Sequence, residues 1–449
     1  MKTYRPYSPR QSQLLPASPL EWLPEGHLAF LVLDVVEQLD LRPVFAHYER
    51  EERGYPPHHP QMMMALLLYG YCVGVRSSRQ VERRTHEDVA FRVIAGGTHP
   101  DHSSIARFRT THQAVFEKLF VQVLRLCQKA GLVRLGHVAL DGTKLKANAS
   151  KHKAMSYERM KKREAELSDT VKAILAEAEL VDAEEDAKYG KERRGDELPE
   201  ELRRAESRLE RIRAAKAELE AEAKAAQEAE DAGQDEPPPG GKTELPVHRV
   251  RHDAEGKPAS KAQRNFTDAE SRIQKTNDGF VQGYNAQIAV DEGNQIIVAQ
   301  ALTNQPPDVE HFEPMLARVV ENCGEAPKRT TADAGYFSER NVAAAEALGT
   351  EAFIATDRKG HGDSPPKPPR GRPPDGLTIR QRMARKLLTA RGAASYARRK
   401  AVVEPVFGQV KQARGIRQFL LRGLEKVRAE WALICATHNL LKLHRGQVA

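Results

Sequence analysis

Two strand-like stretches, "HVALDG" (137–142) and "FVQGYNAQIAVDEGNQIIVAQALT" (280–303), are separated by a long charged region with helical period, 150–245. There Met160, Leu167, Val171, Ile174, Ala178 and Val181 recur at three- to four-residue spacing. After "KYGKERRGDELP" the same spacing returns in Leu202, Ala205, Leu209, Ile212, Leu219, Ala223 and Ala226. Each set draws one narrow apolar stripe along a helix. If the flanking strands belong to one sheet, the region must go out and come back. An antiparallel helical hairpin does so, its two stripes buried on each other. Lys216 is the one charged residue in the seam of the second helix, and "DAGQDEPPPGGK" ends the hairpin as a linker. The faces are charged and show no chemistry, so the region reads as an inserted arm.

On the N-terminal side, residues 1–133 are helical in pattern and read as an all-α domain. "HLAFLVLDVVEQLD" and "TTHQAVFEKLFVQVLRLCQKAG" carry helical spacing, the latter stopped at Gly131. Between them, "SSRQVERRTHEDVAFRVIAGG" and "HPDHSSIARFRTTH" give two short helices broken by Gly96, Gly97 and Pro100, an arrangement like a helix-turn-helix. Asp101 or Ser103 would cap the second, from which Arg107 and Arg109 would project toward DNA. The longest apolar run, "MMMALLLYGYCVGV", is too short to cross a bilayer and reads as a buried helix, so no membrane partner is expected.

Beyond the arm the order is hairpin, helix, strand, helix, strand, helix: "HFEPMLARVVENCG", "RTTADAGYFSERNVAAAEALG" with a helix opening at Ser338, "EAFIAT", a Pro-rich basic loop "GHGDSPPKPPRGRPPDG", and terminal helices. This pattern predicts an α/β domain built from 134–149 and 246–449, a mixed sheet with helices on its faces. The net charge of +8 favours a polyanionic partner, of which nucleic acid is the commonest. Cys72, Cys127, Cys323 and Cys435 are scattered, which argues against a zinc site or a disulfide framework and fits a reducing cytoplasm. "MKTYRPYSPRQSQ" lacks the apolar core of a signal peptide.

Sites in such sheets collect at strand ends. Asp141 in "VALDG" and Asp333 in "TTADAG" each end an apparent short strand before a glycine, leaving a carboxylate at the rim. Asp291 is better read as a turn former, and Asp308 as a loop residue after Pro306 and Pro307. A third acid, Glu404, sits among Arg399, Lys400, Lys411 and Arg414, cations that would keep it ionised and, with Tyr396, contact DNA. Lys411 lies two turns beyond it and Tyr396 roughly on the same face, while Pro405 should kink the helix or start it. Three converging carboxylates suit hard divalent cations. Two such ions can activate a water or a 3′-hydroxyl in an in-line displacement at phosphorus, with Lys144 and Lys146 meeting phosphate.

The stretches "HPDHSSIARFR", "VALDGTKLKANAS", "SRIQKTNDGFVQGYNAQIAVD", "TTADAGYFS" and "VVEPVFGQVK" resemble those of DDE transposases of bacterial insertion sequences. The resemblance implies a ribonuclease H-like catalytic fold, Asp141, Asp333 and Glu404 as the triad, and two Mg²⁺ ions that Mn²⁺ could replace. It implies element terminal inverted repeats and target duplex as partners, a homodimer on DNA, and a place at the bacterial nucleoid. The family's tyrosine-arginine-glutamate-lysine pattern falls on Tyr396, Arg399, Glu404 and Lys411, with Arg399 one residue out of the usual spacing and Lys400 in register. A nuclease of the same fold without strand transfer, or an inactive DNA-binding relic, are the alternatives.

Overall fold

Seven helices occupy the N-terminal third: α1 (Leu28–Gln38), α2 (Arg42–Tyr48), α3 (Pro60–Cys72), α4 (Ser78–Glu87), α5 (Val89–Ile94), α6 (His102–Thr111) and α7 (Phe116–Lys129). The computed structural model describes residues 19–50, 56–189, 200–231, 243–276, 279–357 and 368–448. The sequence expectations for "MKTYRPYSPRQSQ", for most of the "DAGQDEPPPGGK" linker, for the turn at 190–199 and for the start of the Pro-rich loop fall outside these residues. α6 opens as its sequence requires. Asp101 Oδ1 accepts from the backbone N–H of Ser103 (2.9 Å) and Ser104 (3.0 Å), satisfying two donors that the first turn leaves free. α3 is apolar nearly all round, and it is buried from Met63 to Cys72. Among the described residues no helix is long and apolar enough to cross a membrane.

The strands are β1 (Val138–Lys146), β2 (Ala154–Ser156), β3 (Gln263–Asn265), β4 (Arg272–Thr276), β5 (Gly279–Asp291), β6 (Ile297–Thr303), β7 (Arg329–Ala332) and β8 (Glu351–Ile354). Six of them form one mixed sheet in the order β4-β5-β1-β7-β8, with β6 sharing the outer edge of β5 with β4. β5–β6 is the expected hairpin, and Asp291 forms its turn by accepting from Gly293 N–H at 3.1 Å. β1 pairs antiparallel with β5 and parallel with β7. β1 does not end at Asp141, as its sequence suggested. It continues through Gly142 to Lys146 because β5 supplies partners along its whole length. Gly142 serves packing rather than a turn: a Cβ there would stand 2.3 Å from Gln287 Nε2.

Four helices follow the sheet-forming hairpin: α10 (Phe312–Cys323), α11 (Glu339–Ala347, capped by Ser338), α12 (Ile379–Leu388) and α13 (Ala390–Gly408), before the long α14 (Leu424–Val448). α13 lies against β1, β7 and β8, while α10 and α14 cover β6. α14 also packs on α3 and α7, so the N-terminal helices and the sheet share one continuous apolar core.

The inserted arm is α8 (Tyr157–Tyr189) and α9 (Glu200–Asp231), antiparallel as expected. Met160, Leu167, Leu209, Ile212, Leu219 and Ala223 form a core of its own. Lys216, the charge in that seam, is met by Glu164 Oε2 at 2.9 Å. The arm is rooted by the β2–β3 pair and by Arg264, a buried cation held by Glu218 (2.7 Å) and Glu222 (2.8 Å) of α9.

Candidate active site

The parallel pairing of β1 with β7 sets Val138 opposite Thr330 and Ala139 opposite Thr331. Continued by two residues, this register brings Asp141 beside Asp333, which caps the 3₁₀ turn Ala334–Tyr336 by accepting from Gly335 N–H at 2.8 Å. Asp141 lies beyond the last parallel bridge, so relative to β7 it does stand at the rim. Its Oδ1 accepts from Gly142 N–H (2.8 Å) and its Oδ2 from an Arg399 guanidinium N–H (2.7 Å). Burial and the neighbouring Asp333 charge raise the Asp141 carboxyl to about 6, against the pull of Arg399. Two carboxylates that repel each other in a poorly solvated rim form a charged cleft, one of them paired with Arg399.

α13 delivers that Arg399. Its guanidinium is 10% exposed and lies 5.7 Å from the centre of the Tyr396 ring. Further on, Lys411 donates to Thr143 Oγ1 of β1, and Lys411 is itself half-buried. Pro405 neither starts nor ends the helix, which runs from Ala390 to Gly408 and then widens into a π turn, Gln409–Ala413.

Glu404 does not join the two aspartates. It is exposed, and its side chain makes no hydrogen bond or ion pair among the described residues. Helix geometry gives the reason: five residues from Arg399 is a rotation of about 140°, so a helix that turns Arg399 to Asp141 turns Glu404 away. The wider π turn also rotates Lys411 off the face of Glu404, so the two-turn spacing counted from the sequence does not align them.

Five other basic residues singled out in the sequence fall in different places. Arg109 does not project from α6; it is buried and donates to Arg76 C=O at 3.0 Å, closing the turn before α4. Arg107, on the outer face, is exposed. Arg414 is also buried and unavailable to DNA. It donates to Thr437 Oγ1 (2.9 Å) and Ile434 C=O (3.2 Å) of α14 and to Tyr71 C=O (3.5 Å) of α3, pinning those two helices together. Lys146 and Lys400 are exposed.

Beside the aspartates stands Asp308, half-buried, which the sequence alone presents as a loop residue. Asp308 Oδ1 accepts from Asn285 Nδ2 (2.7 Å), Gln287 Nε2 (2.8 Å) and Lys144 Nζ (3.2 Å). Burial pushes its carboxyl up, but these bonds and His311 outweigh it and hold the group well below the usual carboxylate range. Tyr336, fully buried, donates its hydroxyl to Gln287 Oε1. The signal was present: "YNAQIA" places two amides, Asn285 and Gln287, on one face of a strand otherwise apolar, and buried amides must find partners.

Asp141 and Asp333 offer hard oxygens, and Asp333 Oδ2 accepts no hydrogen bond among the described residues. These donors fit a divalent cation of the Mg²⁺ or Mn²⁺ type, whose charge would relieve their repulsion. Among the described residues, no three His, Cys, Asp or Glu side chains gather closely enough to hold a metal, so the pair alone is assembled.

Residues 18–111 match the family described as "Transposase domain (DUF772)", and residues 243–440 match the "Transposase DDE domain" family. No curated protein and no solved structure matches. The first match covers the helices up to α6; the second begins at the return from the arm and carries Asp333, Arg399, Glu404, Lys411 and the strands β3 to β8, while β1 with Asp141 lies between the two matches. The chain belongs to the DDE transposases of insertion sequences.

Proposed function

We propose that this transposase cuts the ends of its element by metal-assisted hydrolysis and joins the resulting 3′-hydroxyls to target duplex, on a sheet of ribonuclease H-like type. The observation that carries the reading is the carboxylate pair: Asp141 and Asp333 on adjacent parallel strands, Asp141 raised to about 6, ringed by Arg399, Lys144 and Lys411. A divalent cation held by Asp141 and Asp333 would activate the attacking oxygen and stabilise the departing one. The chain's own cations do the rest. Arg399 neutralises Asp141 while DNA is absent. Lys144 and Lys411 offer ammonium donors to the phosphate beside the pair, and the exposed Lys146 and Lys400 extend the basic surface along the duplex. Glu404 is the third acid of the proposal, although it faces away from the pair in the chain without DNA. Residues 1–133 recognise the element end through Arg107, and two copies pair the ends.

The test is single-turnover cleavage and joining on a labelled element end, with Asp141→Ala, Asp333→Ala and Glu404→Ala. Each should abolish cutting and leave DNA affinity largely intact. Cutting at near wild-type rate by any one removes that residue from the site. Nicked product that never becomes joined product identifies a nuclease instead.

A further inference from the structure

The Asp308 cluster has no part in the three-carboxylate account, yet it touches that site. A Cβ on Gly335 would stand 3.0 Å from Asp333 Oδ1 and 3.6 Å from Asp308 Oδ2, so both carboxylates lie around one glycine. Asp308 Oδ1 is saturated by Asn285, Gln287 and Lys144. Gln287 is fixed in turn, donating to Asn285 Oδ1 (2.9 Å) and accepting from Tyr336. Asn285 and Gln287 of β5, the latter backed by Tyr336 of the turn after β7, thus hold the Asp308 carboxylate in place.

What that carboxylate holds is Lys144. An ammonium has three N–H donors. Lys144 gives one to Pro306 C=O (2.8 Å) and one to Asp308 Oδ1 (3.2 Å), both in the loop before α10. One donor is left. Its side chain is 17% exposed, and it feels the charges of both Asp333 and Asp141. A lysine normally loses rotamer freedom when it grips a phosphate; one already held by two acceptors has lost it beforehand.

We propose that Asp308 is a positioning residue that presets Lys144 as donor to a single phosphate oxygen of the DNA at the Asp141–Asp333 pair. This rests on the reading of that pair as the cutting site. A surface lysine steering DNA would act through salt-dependent affinity, whereas a preset donor acts at one phosphate and on the rate of the step.

The experiment is a cycle of Lys144→Met, Asp308→Asn and the double variant in the full-length protein. Single-turnover cutting is measured on end DNA carrying natural phosphates or one neutral methylphosphonate at each position flanking the cut. Each single variant should cut about 10- to 100-fold slower at saturating DNA, as expected for a lost charge-assisted bond. The double variant should be no slower than the slower single. One methylphosphonate position should slow the wild type and add nothing in either variant. Wild-type cutting by folded Asp308→Asn, multiplying effects in the double variant, or a methylphosphonate penalty unchanged in Lys144→Met overturns the proposal. Should Asp308→Asn fail to fold, Asp308→Glu takes its place in the cycle, and wild-type cutting by that folded variant overturns the proposal. Asp141→Asn and Asp333→Asn run alongside: if they still cut, the assignment of the site itself fails; if only they are dead, the error lies with Asp308.

Discussion

Replacing Asp141 with asparagine should stabilise the protein while it destroys activity. The folded chain holds the Asp141 proton more tightly than the unfolded chain, since the carboxyl rises from 3.8 to about 6 on folding. Ionising it therefore costs stability: the cost is absent below pH of about 4, grows as pH rises toward 6, and is complete above it. A rise of about two units corresponds to about 3 kcal/mol. Asparagine keeps the shape and removes the charge, and Arg399, whose attraction is already contained in that value, stays in place. At pH 8 in chelator, Asp141→Asn should gain about 3 kcal/mol, or roughly 3–4 °C in melting temperature for a chain of this length that folds around one core. At pH 4 the two proteins should be equal. Mg²⁺ or Mn²⁺ at about a hundred times its Kd should then stabilise the wild type by about 2.7 kcal/mol and leave the variant unmoved. Denaturant titrations across pH 4–8 with and without metal read all of this. A variant less stable than wild type at pH 8, or one that responds equally to metal, would refute the idea of a strained carboxylate pair built for a cation.

Other perturbations separate the cations by role. Arg107→Ala should weaken binding to the element end by roughly 1–3 kcal/mol if it reads bases, seen in gel-shift titration; unchanged affinity and preference would return it to plain surface. Arg109→Ala should instead lower stability by about 1.5–3 kcal/mol, through the lost bond to Arg76 C=O, as measured by chemical denaturation. Replacing residues 165–212 with a short Gly/Ser linker keeps the Arg264–Glu218 and Arg264–Glu222 pairs; the sheet should stay folded while assembly of paired ends on DNA falls. Normal pairing and joining by that variant would make the arm dispensable.

Local patterns were legible wherever one element carries its own reason. The Asp101 cap, the Asp291 turn, the paired arm helices and Asp333 at the end of β7 all follow from residues within a few positions of one another. What was not legible depended on partners far along the chain. An arginine on a helix reads as a solvated cation, yet Arg109 and Arg414 have stems long enough to reach backbone carbonyls inside the fold. The strand holding Asp141 looked short because Gly142 resembles a turn, when the glycine makes room for Gln287 of β5. Glu404 and Arg399 are close in sequence, but only the docking of α13 decides which of them faces Asp141. Asp308 was passed over because its partners lie on β1 and β5.

The core shared by the N-terminal helices and the sheet has a consequence for the DNA itself. α14 packs at once on α3, α7 and β6, and Arg414 ties α3 to it, so α6, which carries Arg107 and packs on α3 and α4, is linked to the sheet through one packed core. On the proposed reading, recognition and cutting then share one frame. The number of base pairs between the contacted position and the severed bond is set by the protein, and one inserted base pair, a shift of about 3.4 Å with its added helical twist, should move the cut by one nucleotide or abolish it.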